Sequence, residues 1–204
     1  MSIILVRHGE TLLNAARVFQ PPETDLSPRG LGQAKLVAKR IAEFAPVAII
    51  SSDMPRAYTT AKSIEQETGL PLTTTTLLHE RNFGDWRGQK HEAVGIDPNT
   101  FIGNPPGGES SETFNQRVAQ AFEKIISLRK SLDGPLVVVS HGLVIQVMLQ
   151  SCIERNGQPM PARIANTSIT VFGMDQPHAV QLINCSRHLE GTEYSEDSKS
   201  LSGG

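Results

Sequence analysis

An α/β domain with a mostly parallel sheet and helices on both faces is the fold this sequence predicts, on two observations. Three short apolar runs, Ile3 to Val6, Val47 to Ile50 and Leu136 to Val139, read as strands buried on both faces. Segments with apolar residues at helical spacing follow each of them. At 204 residues the chain is long enough for one such domain with a sizeable core and short for two.

The elements follow in order. Ile3 to Val6 is the first strand. Pro28 to Phe44 is the first long helix, with Leu31, Ala34, Val37, Ala38 and Ile41 along one face. After the strand Val47 to Ile50, Ser52 or Asp53 caps a second helix that runs to about Thr68, with Pro55 tolerated in its first turn. Gly69-Leu70-Pro71 closes it, and Leu72 to Leu78 reads as another strand. Residues 85 to 111 are rich in Gly and Pro and show little periodicity, so they read as a long, lid-like connection. Glu112 to Leu132 is the longest helix, with Phe114, Val118, Ala121, Phe122, Ile125 and Leu128 on one face. The turn Asp133-Gly134-Pro135 leads into Leu136 to Val139, and Ile169 to Phe172 pairs with Ala179 to Ile183 as a hairpin. Residues 186 to 204 are polar and end in Ser-Gly-Gly; they read as a disordered tail behind a domain spanning residues 1 to 185.

Composition excludes some classes of function. A formal charge of -2 leaves no general basic excess for a nucleic-acid backbone or an anionic membrane, so any anion is met locally. Cys152 and Cys185 stand far apart, which fits neither a zinc site nor a disulfide framework and suits reduced thiols. The four apolar residues before Arg7 are too few for the core of a signal peptide, and no other run approaches a membrane span, so a cytoplasmic protein is expected.

Chemistry gathers where strands end, because open α/β sheets bind ligands at the carboxyl ends of their strands. The first strand runs into Arg7-His8-Gly9 and the later one into Ser140-His141-Gly142, so two histidines can face one pocket. "SSDMPRAYTT" adds Arg56 at the start of a helix. Two guanidiniums beside helix N-termini suit a phosphoryl group, whose oxygens match their planar forks. A neutral imidazole can attack phosphorus, and His8 is the better placed of the two, with Gly9 allowing a tight turn and close approach to substrate. The leaving oxygen needs a proton. Glu80, after the strand Leu72 to Leu78, is the candidate acid, and Glu109 in "GGES" is its competitor.

The strings "LVRHGET" with Asn14, "DLSPRGLGQA", "SSDMPRAYTTA", "ERNFGDWRG", "GGES" and "VVVSHGLVI" occur in the order seen in the histidine phosphatase superfamily, or phosphoglycerate mutase-like family. Across roughly residues 3 to 185 the chain resembles that family. The resemblance implies a three-layer α/β/α sandwich and phosphoryl transfer with no metal and no cofactor. His8 becomes the phosphorylated nucleophile, and Glu80 the proton donor. Arg7, Arg56 and His141 bind the phosphoryl group, with Asn14, Gln20 and Gly142 also in the substrate-binding set. The partner is then a small phosphorylated substrate, with a homodimer left open. Mutases of the family carry a long insertion between the acid and the second histidine. Here Glu80 and His141 are 61 positions apart, which resembles the phosphatase branch.

One departure stands out: Pro21 follows Gln20 where family members commonly have Gly, and it lacks a backbone N–H. Arg87, Lys90 and His91 read as solvated loop charges, with a second anion site as the alternative. Trp86 reads as a packing anchor, and Asn166 as a side chain bonding backbone near the second histidine turn. A metal hydrolase using His8, His79, His91 and His141 is a rival, though no two of these lie at i,i+4 on a helix with a carboxylate. A family member without turnover that binds a phospho-ligand or a protein is another.

Overall fold

The computed structural model describes residues 2–195. In chain order the elements are β1 (Ser2–Arg7), α1 (Leu12–Ala15), α2 (Pro28–Ala42), β2 (Ala48–Ser51), α3 (Pro55–Thr68), β3 (Leu72–Thr74), α4 (His91–Val94), α5 (Ser111–Lys130), β4 (Leu136–Ser140), α6 (Gly142–Ser151), β5 (Ile169–Gly173) and β6 (Val180–Cys185). They build one six-stranded sheet in the order β3-β2-β4-β1-β5-β6. β1 to β4 run parallel, and β5 and β6 extend one side antiparallel.

Strand periodicity explains the layers. Successive side chains point to opposite faces of a sheet, so a run that is apolar at every position must be covered twice. Ile3 and Leu5 pack with Phe114, Val118 and Met148 on the α5/α6 side, whereas Ile4 and Val6 pack with Val37, Ile41, Ala57 and Ile64 on the α2/α3 side. Each such aliphatic side chain contributes about 1.5–3 kcal/mol when fully withdrawn from water. The result is the α/β/α sandwich expected.

Two features of this frame set the site. Arg7 lies opposite Ser140 in the β1–β4 ladder, so the two strands stop side by side and the residues that follow, His8 and His141, emerge together. α2, capped by the Ser27 hydroxyl on the Gly30 N–H at 3.0 Å, crosses so close to the turn after β1 that a Cβ on Gly9 would meet the Gly30 carbonyl oxygen at 2.5 Å, and one on Gly30 would meet the Glu10 carbonyl oxygen at 2.0 Å. The small residue at Gly9 is therefore required by helix packing.

Several expected elements differ. The strand Leu72–Leu78 stops at Thr74, because β2 ends at Ser51 and offers no further partner after its carbonyl accepts from the Thr75 N–H at 2.9 Å. Thr76–Leu78 coils into a 3₁₀ turn that drives Leu78 into the core. Met54, not Ser52 or Asp53, holds the cap position of α3, and both of those side chains are engaged elsewhere. The connection 85–111 is pinned from within: Trp86 packs on Phe83 and Phe101, and the Arg81 guanidinium donates to the carbonyls of Phe101, Gly103 and Glu109 at 2.7–3.1 Å. Trp86 is the packing anchor expected. Residues 186–195 of the expected disordered tail are folded: Leu189 is buried, the Tyr194 ring covers Gly32, and Arg29 donates to the carbonyls of Glu193 and Ser195. Two apolar anchors in a polar stretch suffice to dock it on α2. Residues 196–204 lie outside the described residues.

Candidate active site

His8 stands at the centre. Its Nδ1 lies 2.7 Å from the Gly9 carbonyl oxygen. A carbonyl can only accept, so the ring proton sits on Nδ1 and Nε2 keeps its lone pair. Burial above all, and then the Arg7 and Arg56 charges, hold this ring well below the usual histidine range, so it is neutral near pH 7. The ring is fixed as the tautomer a nucleophile needs.

His141 faces it, with ring centroids 5.1 Å apart. Its Nε2 lies 2.9 Å from the Ser52 hydroxyl, which itself accepts from the Met54 N–H at 3.3 Å. The Ser52 hydroxyl fixes the ring through Nε2, and Nδ1, the other ring nitrogen, is buried and has no partner among the described residues. Burial and the nearby Arg56 keep this ring also well below the ordinary value.

The cations are held by backbone. Arg7 Nη1 donates to the Ile164 carbonyl at 2.5 Å. Arg56, 1% exposed, sends Nη1 to the carbonyls of Pro21 and Pro22 at 3.4 and 3.3 Å and Nη2 to the Met54 sulfur, while its Nε is buried without a partner. Burial brings its pKa down to about 10, against the pull of Glu80. Such a guanidinium is a donor set awaiting an anion.

Glu80 reaches the same space because the Ser140 hydroxyl donates to the Leu78 carbonyl at 2.9 Å and ties its segment to β4. Its carboxylate accepts from the Arg81 N–H at 3.0 Å and from the Leu143 N–H, in the first turn of α6, at 3.2 Å. Burial nevertheless wins over these bonds and over Arg56 and Arg7, and the carboxyl is pushed up from its ordinary range. Glu109, the competitor, is instead consumed by a bidentate pair with Arg117 at 2.8–2.9 Å.

Of the remaining predicted residues, Asn14 is buried and donates to Asn166 at 3.3 Å, Gln20 accepts from the Thr11 hydroxyl at 2.7 Å, and Gly142 opens α6 behind His141. Asn166 donates to the His8 carbonyl at 3.0 Å, so it bonds backbone as expected and steadies the first histidine turn. Ser52 is the positioning residue that sequence reasoning missed as such; the doubled Ser51-Ser52 before Arg56 was the available signal. The loop charges separate: Lys90 and His91 line a cavity with Arg17 and Arg163, whereas Arg87 lines a cleft of about 540 Å³ into which Glu80 opens. Among the described residues no group of three or more His, Cys, Asp or Glu is placed to hold a metal ion, and no helix is long and apolar enough to cross a membrane.

Comparison with known proteins places this arrangement. The sequence profile of the histidine phosphatase superfamily (branch 1) matches residues 3–185. The chain belongs to that superfamily. It is 32% identical over 207 residues to phosphoglycerate mutase-like protein 4 of Arabidopsis thaliana, covering 94% of this chain and 88% of that one. To a glucosyl-3-phosphoglycerate phosphatase of Mycolicibacterium vanbaalenii it is 31% identical over 160 residues, with 72% and 71% covered. The crystal structure of phosphoglycerate mutase from Thermus thermophilus superposes with a TM-score of 0.68 at 27% identity, covering 89% of this chain and 97% of that one. The superfamily thus holds both phosphatases and mutases among these relatives, and this chain is an enzyme of the one kind or the other.

Proposed function

We propose that the protein is a phosphomonoesterase acting on small phosphorylated metabolites through a phosphohistidine at His8. The observation that carries this reading is the bond from His8 Nδ1–H to the Gly9 carbonyl, which leaves Nε2 as a neutral nucleophile among cations. Nε2 attacks phosphorus while the ester P–O bond breaks, and Glu80 gives its proton to the departing oxygen. Arg7, Arg56 and His141 receive the charge on the equatorial oxygens. Glu80, now a carboxylate, takes a proton from water whose oxygen attacks the phosphohistidine; the P–N bond breaks and phosphate leaves. No metal or cofactor takes part in this cycle.

Hydrolysis rather than isomerisation is favoured by the short stretch between Glu80 and His141, much of which is pinned by Arg81 and Trp86 and adds no enclosing insertion over the site. The test is an EDTA-treated phosphate-release screen over a panel of phosphomonoesters, with isomerisation of 3-phosphoglycerate followed in parallel. Release without isomerisation is expected. Isomerisation without release would make the protein a mutase, and binding of phosphate without turnover a non-catalytic relative.

A further inference from the structure

The cleft beside Glu80 contains charges that are almost all spoken for. Arg117 is committed to Glu109 through two bonds and to the carbonyls of Leu77 and His79 through Nη1 at 2.9 and 2.8 Å. His79 pairs with Asp53. Glu80 accepts from two backbone N–H groups. Arg87 is different: among the described residues its guanidinium pairs with no carboxylate, carbonyl or hydroxyl, although Asp85 is two positions away. Its backbone is fixed by the bond from its N–H to the Gly84 carbonyl at 3.2 Å, and the neighbouring Gly88 N–H donates to Phe19 at 2.7 Å. A half-buried cation on a fixed backbone, with no acidic partner, thus stands in the same cleft as the candidate acid, with donors available to an anion. Its field is felt inside the site, where it adds to the lowering of the Arg56 pKa.

We propose that Arg87 is a specificity residue that binds a second anionic group of the substrate, so that the preferred substrates are phosphomonoesters carrying a carboxylate or a further phosphate on the departing portion. The geometry gives the direction: with the phosphoryl group on Arg7, Arg56 and His141 and the departing oxygen at Glu80, the rest of the substrate extends along the cleft that Glu80 and Arg87 line together, whose Pro22 and Met54 also hold Arg56. A guanidinium fork there matches either anion bidentately. This proposal rests on the phosphomonoesterase reading and adds the chemical class of its substrate.

The experiment compares kcat/KM for matched esters that differ by one anion, 3-phosphoglycerate against glycerol 3-phosphate and fructose 1,6-bisphosphate against fructose 6-phosphate, in the unsubstituted protein and in Arg87→Gln and Arg87→Lys. The unsubstituted protein is expected to favour the more anionic member of at least one pair by roughly tenfold, a charge-assisted bond in a partly exposed cleft. The first pair reads a carboxylate subsite and the second a phosphate subsite. Arg87→Gln should bring the favoured ratio toward one, chiefly through KM, and Arg87→Lys should restore part of it. A ratio near one in the unsubstituted protein, or a preference that Arg87→Gln leaves unaltered while both esters are hydrolysed, overturns the subsite and leaves the phosphomonoesterase reading standing. No hydrolysis of any ester overturns both.

Discussion

Arg129 and Arg56 are equally buried, each 1% exposed, yet they sit at opposite ends of the sheet and are treated in opposite ways. Arg129, late in α5, donates Nε to the Ser2 carbonyl at 3.3 Å and Nη1 to the Leu132 carbonyl at 2.5 Å, so it fastens the entry of β1 to the end of a helix. Arg56, at the carboxyl end, keeps a buried Nε with no partner and spends its other donors on long bonds to Pro21, Pro22 and a sulfur. Burial alone marks neither function nor structure. What separates the two is donor capacity left unused, and the His141 Nδ1 near Arg56 is also without a partner. At one end of the sheet the buried guanidinium is bonded to backbone carbonyls, and at the other it keeps a donor unused, as the proposed phosphoryl site requires.

Substituting both arginines by methionine is the broadest way to break that contrast. Arg56→Met should lower kcat/KM by about 10²–10³-fold, as for loss of a transition-state donor, with the melting temperature unchanged or raised. Arg129→Met should cost about 1–3 kcal/mol, because two carbonyls lose their donor, and leave activity per folded molecule intact. Thermal melts beside steady-state kinetics decide it, and equal stability losses in the two variants would erase the distinction.

Glu80→Gln sharpens the comparison on the acid side. Its carboxyl is raised by burial, so it carries a proton further toward neutrality than an exposed glutamate, while His8 stays unprotonated well into acid. Activity should therefore lie between the lowered His8 pKa and the raised Glu80 pKa, and fall as pH rises through the latter. Glu80→Gln should remove the basic limb and slow alkyl phosphates by roughly 10²-fold or more, with a smaller loss for p-nitrophenyl phosphate, whose leaving group needs little protonation. A pH–rate profile on both esters checks this.

A smaller effect is on stability. His8 and His141 have folded-state pKa values below the ordinary 6.5, so between those values the unfolded chain binds protons that the folded chain refuses. Stability is then lost as pH falls below 6.5, whereas Glu80, raised above 4.5, contributes in the opposite sense and loses its contribution as pH rises. His8→Asn should narrow the drop in melting temperature between about pH 7.5 and about pH 5.5. An unchanged drop would mean that the ring is not held neutral by its site.

Much of this was legible in the sequence because the physics was local. Residues 3–6 of β1 and 136–139 of β4 are apolar at every position, which only a doubly covered strand tolerates; Arg7 ends β1 with His8 next to it, and His141 follows the Ser140 that ends β4. Leu72–Leu78 misled because its second half is apolar for core burial, not for pairing, and the length of β2 that decides this lies elsewhere in the chain. Ser52 was not read as a positioning group, since its bond to His141 spans 89 residues, whereas Asn166 was read as bonding backbone near a histidine turn and its bond to the His8 carbonyl, across 158 residues, decides which. The docking of residues 186–195 turned on Leu189 and Tyr194 finding α2, which composition averages away.

The central claim is that His8 Nε2 takes the phosphoryl group, and the most direct measurement is to trap it: mix the protein with a ³²P-labelled phosphomonoester that it hydrolyses, quench within a turnover, and map the label by peptide. The account predicts an acid-labile, base-stable label on His8, absent in His8→Ala, which should also lose roughly 10⁴-fold or more of turnover. Hydrolysis at the full rate with His8 unlabelled, or with His8 replaced, would contradict it.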